Sequence, residues 1–347
     1  MKEEYSHSRK EKNKLRIFAI ILAIIIYFSS ASVVVYPYIK AQISMKEAEE
    51  YTREFKESTA KERSDFSGAV GNVIPKQLTL DDVIKYKNII PYADMLREML
   101  LYNQEIYNTN QESITGTESF AEQVVYPQKH GLQDGAVGTL YIPSLDAEFP
   151  IYLGSTPGHL DKGLAQLTGT SMPTGGKNTN CVLAGHRGWQ TGDILKEVEK
   201  IQIGEILTLT NPWGKLEYRV SEIQIIKPSD IKDILIKDGR DVITLITCHP
   251  YASGGRFRYL VICDRVEDDS NSVEIMLDDS QKEKENIGPG MIAAKSDPLI
   301  NFSSNQEIFF DIALQYISFA FVAVFPIIAL ILLKKYKKQD NINTPHG

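Results

Sequence analysis

The order of apolar and polar positions divides the chain into stretches of different character, each predicting a different kind of element. Residues 17–38 run without a charge, enough for the roughly 20 residues that cross a bilayer. Residues 310–333 are likewise uncharged after Asp311. Residues 39–78 are dominated by Glu, Lys, Arg and Ser with almost no clustered apolar positions, which predicts a helical or flexible stalk. In residues 79–135 the first part has apolar positions at helical spacing (Val83, Tyr86, Ile89, Ile90, Met95, Met99, Leu100). Thr79 with Asp82 three residues on is an N-cap pattern, so one or two helices broken near Pro91 are expected. Residues 109–135 read as a long connection lying over something, whose aromatics Phe120 and Tyr126 could dock in a groove. From Gly138 onward short apolar runs at 139–142, 149–153, 180–185, 206–210, 216–227, 242–247 and 257–266 are separated by Gly, Pro, Asn and Asp clusters. Strands this short and this regularly punctuated predict a mainly β domain over 136–267, a sandwich or a barrel. Helical patches are expected at 160–167 and 194–203, and residues 268–309 form an acidic, Ser/Asn-rich tether.

Charge orients the two apolar spans. Lys2, Arg9, Lys10, Lys12, Lys14 and Arg16 precede the first, in a basic tail of residues 1–16. Lys334, Lys335, Lys337 and Lys338 follow the second, in residues 334–347. Basic flanks at both outer ends place both termini in the cytoplasm and the region between the spans outside the cell, embedded in the membrane at either end. The first run is longer than the apolar segment of a cleaved signal peptide, and Ser30, Ala31 and Ser32 make a weak cleavage site, so an uncleaved anchor is the better reading. At 347 residues, with 43% apolar and 24% charged, the chain holds one sizeable globular domain plus appendages. A net charge of −7 supplies no basic face for phosphates, so nucleic acid is not expected as a partner. Three widely spaced cysteines, Cys181, Cys248 and Cys263, make no disulfide framework, and the six histidines show no zinc spacing. No metal or cofactor is expected. So few cysteines in an exported domain suit a Gram-positive-type exterior, where a lone thiol can be kept for chemistry.

The candidate chemistry lies in two short stretches. The β-branched run Val242 to Thr247 ends on Cys248, and the chain breaks at Pro250 and at Ser253, Gly254 and Gly255 before a second apolar run begins at Phe257. This puts a thiol at a sheet rim, within one loop of His249, Arg256 and Arg258, where a reactive cysteine would sit. A buried cysteine acting as a small hydrophobe is the competing reading. The second stretch, Cys181 to Trp189, ends a strand on His186 between Gly185 and Gly188, and so delivers an imidazole to a rim as well. A thiol that attacks an amide needs a group to protonate the leaving amine, and His186 can do so. The cysteine follows the histidine, the reverse of the papain-like order. Arg256 and Arg258 share strand parity, so alternation does not choose between them. Arg265 lies farther along with the opposite parity and fits a surface ion pair. Cys181 and Cys263 read as core residues, with a bond between them left open, and His249 and His159 read as solvated.

These motifs resemble those of a known family. Thr244-Leu245-Ile246-Thr247-Cys248 is similar to the cysteine signature of sortases, the membrane-tethered cysteine transpeptidases of Gram-positive surfaces. Leu183-Ala184-Gly185-His186 resembles their histidine motif, and Arg258 followed by Tyr259-Leu260-Val261 their arginine strand. Gly138 to Pro143, Gly169 to Pro173, His186-Arg187-Gly188 and the second C-terminal span look like class C, the pilus-assembling group.

The resemblance implies a closed β-barrel with Cys248, His186 and Arg258 at one end of a groove, Thr247, Thr244 and Ala184 touching the substrate, and a transmembrane helix near each terminus. It implies that Cys248 attacks the Thr–Gly carbonyl of an LPXTG-like sorting signal on a pilin or other surface protein. The acyl group then passes to an acceptor amine, a pilin lysine in class C, or a cell-wall precursor in other classes. The third expectation is a non-catalytic tethered β-domain that binds a partner. Class C enzymes often carry an Asp-Pro-aromatic lid, and no such triplet occurs between residues 79 and 135, so either the lid is absent or another aromatic such as Phe120 or Tyr126 takes that role.

Overall fold

The computed structural model describes residues 2–70, 77–112, 114, 116, 123–188, 194–251, 255–266 and 305–342. It divides into two compact units, one of residues 1–40 with 305–347 and one of residues 41–304.

The first unit is helical. Helix α1 (Lys2–Val70) begins in it, and the C-terminal helix, numbered α5 below, closes it. Among the described residues one segment, Ile308–Ile328, is by itself long and apolar enough to cross a membrane, with mean hydropathy 2.0. The N-terminal stretch meets that standard only as a bent pair, Ile20–Val33 and Val35–Phe66, at 42° to one another. Of the two expected spans, the C-terminal one is met by a single straight segment and the N-terminal one only by this bent pair. Pro37 accounts for the bend, because it offers no N–H to the carbonyl of Val33 and its ring crowds that carbonyl. Pro326 in α5 leaves the Val322 carbonyl without its helical donor in the same way. The Tyr27 hydroxyl lies 3.2 Å from that oxygen and 3.1 Å from the Phe321 carbonyl, and the Tyr27 ring stacks on Phe325 with centroids 4.8 Å apart. A polar backbone group surrounded by apolar helices is thereby satisfied from the neighbouring helix.

The second unit is built on a closed eight-strand barrel. Helices α2 (Leu80–Lys85) and α3 (Ala93–Asn108) precede it. Strands β1 (Ala136–Ile142), β2 (Ala147–Leu153), helix α4 (Pro157–Leu160), β3 (Leu164–Gln166) and β4 (Thr179–Ala184) follow. Then come β5 (Ile206–Asn211), β6 (Gly214–Ile226), β7 (Asp241–His249) and β8 (Phe257–Arg265), with α5 (Asn305–Ile342) last in the chain. The strands close in the order β1-β2-β3-β4-β7-β8-β6-β5. All seven expected strands are present. The eighth, β3, lies in the patch expected to be helical at 160–167, where one short helical turn at α4 gives way to three strand residues paired parallel to β2. The patch at 194–203 is turns and one 3-10 turn at Val198–Lys200 rather than a helix. Both regions are short apolar runs, which periodicity cannot assign to helix or strand.

Strand β7 sits between β4, to which it is parallel, and β8, to which it is antiparallel. Both its faces are covered. Ile243 and Leu245 face the main core with Cys181, Leu183, Val261 and Cys263. Val242 and Ile246 face a second cluster with Val182, Leu260, Ile262 and Ile114, closed by Ile231, Ile234 and Leu235 of the β6–β7 connection. This explains the unbroken apolar run of the cysteine strand.

The charged stretch after the first span is a helix docked on the barrel. Ser44, Ala48, Thr52, Phe55, Thr59 and Phe66 are buried at helical spacing, and the Thr52 hydroxyl donates to the Glu148 carbonyl of β2 while Lys56 pairs with the Glu148 carboxylate. The small Ala, Ser and Thr on this stripe hide it from a search for large apolar residues. Thr79 and Asp82 form the expected capping box of α2. Helix α3 is fastened by polar side chains. Asn103 bonds Thr174 and the Met172 N–H, Tyr102 accepts from the Gly169 N–H, and Gln111 links the Gly169 carbonyl to the Ile236 N–H.

Candidate active site

The strand register brings the candidate residues to one rim. Cys248, on β7, is directly opposite Arg258 on β8. The β4–β7 register pairs Ala184 with Ile246, so continuing it by two residues sets His186 level with Cys248. Two hydrogen bonds hold the histidine loop to β7: the Gly185 N–H donates to the Ile246 carbonyl at 3.2 Å, and the Thr247 hydroxyl to the Gly185 carbonyl at 2.7 Å. Because side chains alternate along strands, His186, Cys248 and Arg258 share the face of Val182, Ile246 and Leu260.

Burial separates the three thiols. Cys248 is partly exposed, whereas Cys181 and Cys263 are buried and desolvation pushes both thiols well above their usual range. Cys181 and Cys263 flank Ile243 on either side, so two strand spacings, about 9.5 Å, separate them. That exceeds the roughly 7 Å limit for Cα atoms joined by a disulfide, and both are unbridged.

The structure also separates the arginines. Arg256 precedes β8 and is exposed, while Arg258 is 8% exposed and its Nη1 donates to the carbonyls of Gly255 at 2.6 Å and Phe257 at 3.0 Å. Arg265 is at the far end of β8, its guanidinium over the Tyr218 ring, and so is remote from Cys248. Gly255 brings the β7–β8 loop against the thiol and the guanidinium. Its φ is +79°, and a Cβ there would lie 2.7 Å from Arg258 Nη1 and 3.1 Å from the Cys248 Sγ. Glycine is needed at this position both for the backbone conformation and for the close approach.

Of three further groups near His186 and Cys248, Asp161 and Glu199 were not singled out in the sequence, and Arg187 only as part of His186-Arg187-Gly188. Asp161, capping the end of α4, has its carboxylate 3.8 Å from His186 Nε2 and is an ion-pair partner whenever that ring carries charge. The buried Arg187 pairs with the half-buried Glu199 at 2.8 Å, and Arg187 also lies 3.3 Å from His249 Nδ1. Adjacency to His186 was the available signal for Arg187. Nothing local marks Glu199.

His249 is buried, which corrects its reading as solvated. It is 1% exposed and tilted against Tyr259 at 5.7 Å, and burial holds its pKa down to about 4 with Arg187 adding to the effect. A neutral ring accepts from Arg187 through Nδ1, and Nε2 has no partner among the described residues. The unfolded chain binds a proton at His249 below pH 6.5, but the folded one only near pH 4. Stability from this group is therefore complete above about pH 6.5 and falls on acidification, by at most about 3 kcal/mol at pH 4. Unfolding measured at pH 7.5 and pH 4 should show this loss in the native protein, and a smaller one in His249→Asn. Equal losses would contradict the assignment. His159 is half-buried: it stacks on Tyr152 at 5.2 Å and its Nδ1 is 2.8 Å from the Gly154 carbonyl.

The expected substrate contacts divide. Thr244 is fully buried and bonds Asn180 at 2.9 Å, and Thr247 is buried with its hydroxyl on the Gly185 carbonyl, so both hydroxyls tie β4 to β7. Ala184 is half-buried on the face of His186 and Cys248. Of the two lid aromatics, Phe120 lies outside the described residues. Tyr126 is 37% exposed, with the Lys129 ammonium 4.3 Å from its ring centroid.

Comparison with known proteins follows this geometry. A family model described as a sortase domain matches residues 140–266. The chain is 25% identical over 172 residues to sortase D of Bacillus subtilis (strain 168), covering 49% of this chain and 84% of that protein. It is 29% identical over 130 residues to sortase A of Bacillus anthracis, covering 38% of this chain and 60% of that one. Among solved structures it is similar to sortase C1 of Streptococcus agalactiae, at 30% identity and a TM-score of 0.47, over 54% of this chain and 95% of that chain.

Proposed function

The chain belongs to the sortase family and is a cysteine transpeptidase, and from that premise we propose that it polymerises pilins at the outer face of a cell membrane. Family membership sets aside the reading as a non-catalytic binding domain.

In this reading the Cys248 thiolate attacks the threonine carbonyl carbon of an LPXTG-like sorting signal. As the tetrahedral intermediate collapses, the Thr–Gly C–N bond breaks and His186 gives its proton to the departing glycine amine. The acyl group is left on Cys248 as a thioester. A lysine amine of a second pilin then attacks this carbonyl, His186 takes the amine proton, and the thiolate leaves. Arg258 donates to the oxyanion in both steps. Ala184, on the reacting face, bounds the peptide. The observation that carries the reading is the pairing of Cys248 with Arg258 across β7 and β8, with His186 level with them on the continued β4 register.

Support for the pilus class comes from the class C-like motifs around Gly138, Gly169 and His186, and from the apolar segment Ile308–Ile328 after the catalytic domain. Two anchors with the barrel outside the cell complete the proposal. The curated relatives carry the class letters D and A, which favours a second reading, attachment of single surface proteins to cell-wall cross-bridge amines. The test is acceptor choice by the full-length protein in detergent, given a pilin bearing the sorting signal and either a second pilin or a cross-bridge peptide. Lysine-linked pilin ladders support pilus assembly. Conjugation to the peptide amine with no ladder establishes the second reading in its place.

A further inference from the structure

We propose that Glu199 is a positioning residue which, through Arg187 and His249, the chain neighbours of His186 and Cys248, holds the imidazole and the thiol at one separation during transfer. The proposal rests on the catalytic reading of Cys248 and His186 given above.

Alternation places the groups on opposite faces. Cys248 faces the second cluster, so its successor His249 turns into the main core, where it meets Tyr259. Continuing β4, His186 faces outward with Cys248 and Arg187 turns inward. The two inward residues are 62 positions apart in sequence and meet at 3.3 Å. Glu199 closes the junction, 2.8 Å from Arg187 Nη2 and 3.5 Å from His249 Nδ1. A shift of either inward side chain is passed through a single peptide unit to a reacting group.

The histidine needs such support more than the cysteine does. Cys248 lies within β7, whereas β4 ends at Ala184 and His186 is already in a loop. That loop is held through Leu195, whose N–H donates to the His186 carbonyl at 2.9 Å and whose side chain packs so close to Gly185 that a Cβ there would lie 2.8 Å away. Arg187 adds three contacts, from Nε to the Lys196 carbonyl, from Nη1 to His249 and from Nη2 to Glu199. Leu195, Lys196 and Glu199 thus belong to one short segment that meets the histidine loop and the end of the cysteine strand together. An ion pair with its arginine buried and its glutamate half-buried generally adds little stability over apolar residues of the same shape, so its placement between the two candidate loops points to geometry rather than to stability.

The test uses the full-length protein in detergent and a fluorogenic LPXTG-like peptide, with kcat, KM, the pH profile and thermal unfolding measured for each variant. The charged and titratable groups facing the site are Asp161 at His186, Arg258 at Cys248, and Arg187, Glu199 and Tyr259 at His249. For Glu199→Gln a fall of about 10- to 100-fold in kcat is expected, with KM nearly unchanged and the pH optimum displaced. Glu199→Asp should restore part of kcat. The double variant Arg187→Met/Glu199→Gln leaves no uncompensated buried charge, so it should unfold near the wild-type temperature yet keep the low kcat, and it serves even where Glu199→Gln alone does not fold. Recovery of kcat along with stability in the double variant would overturn the proposal, as would a Glu199→Gln protein with wild-type kcat and pH profile. Wild-type protein lacking Cys248-dependent turnover would sink the catalytic reading as well, which separates the two failures.

Discussion

A Cys248→Ala protein should form no covalent adduct with an LPXTG-like peptide, and its transpeptidation should drop to the assay floor, a loss of about 10⁴-fold or more. The expectation follows from which thiols can be reached. Cys248 is partly exposed at a barrel rim, opposite Arg258 and against the Gly255 loop. Cys181 and Cys263 are buried in strands, and burial holds their protons on. Neither can replace the missing nucleophile. Intact-mass measurement after incubation with peptide checks this, since the acyl fragment should add to wild type and not to the variant. An adduct of equal yield on Cys248→Ala would place the nucleophile elsewhere and remove the basis of the proposed mechanism.

Arg258→Ala should cost about 10²–10³ in kcat, the usual consequence of removing one aimed oxyanion donor, whereas Arg256→Ala should change it by no more than about threefold. Parity in the sequence left these two arginines equivalent. In the folded chain Arg258 is inside β8 and cross-strand from Cys248, while Arg256 is exposed before the strand begins. Arg258→Lys should recover little. The guanidinium bonds the Gly255 and Phe257 carbonyls through Nη1, and the planar fork that aims its other nitrogens has no counterpart in a single ammonium. Steady-state kinetics on the three variants decides the matter. A larger loss in Arg256→Ala than in Arg258→Ala would mean that the β7–β8 loop rearranges when substrate binds.

The braced geometry around the barrel changes how a lid can be sought. Removing residues 109–130 would delete Gln111, which ties the Gly169 carbonyl to the Ile236 N–H, and Ile114, which fills the second cluster. Such a deletion would disturb the β3–β4 and β6–β7 connections whether or not an aromatic covers the site. Point changes at Phe120 and Tyr126 leave that bracing intact.

By itself the sequence determined the two candidate stretches that meet at one rim, seven of the eight strands, the capped helix at Thr79 and the apolar segment near the C-terminus. These are local properties, carried by alternation, caps and uncharged runs that a few neighbouring residues express. Only the tertiary structure decided the rest. The three residues of β3 have no periodicity to read, and the docked face of α1 is built from Ser, Ala and Thr. The burial of Thr244, the exposure of Arg256 beside the buried Arg258 and the 3.3 Å meeting of Arg187 with His249 depend on strands paired across 60 or more residues or on where a strand begins. Pairing of that range is set by closure of the barrel and by what each face must bury, and no local window of the chain contains it.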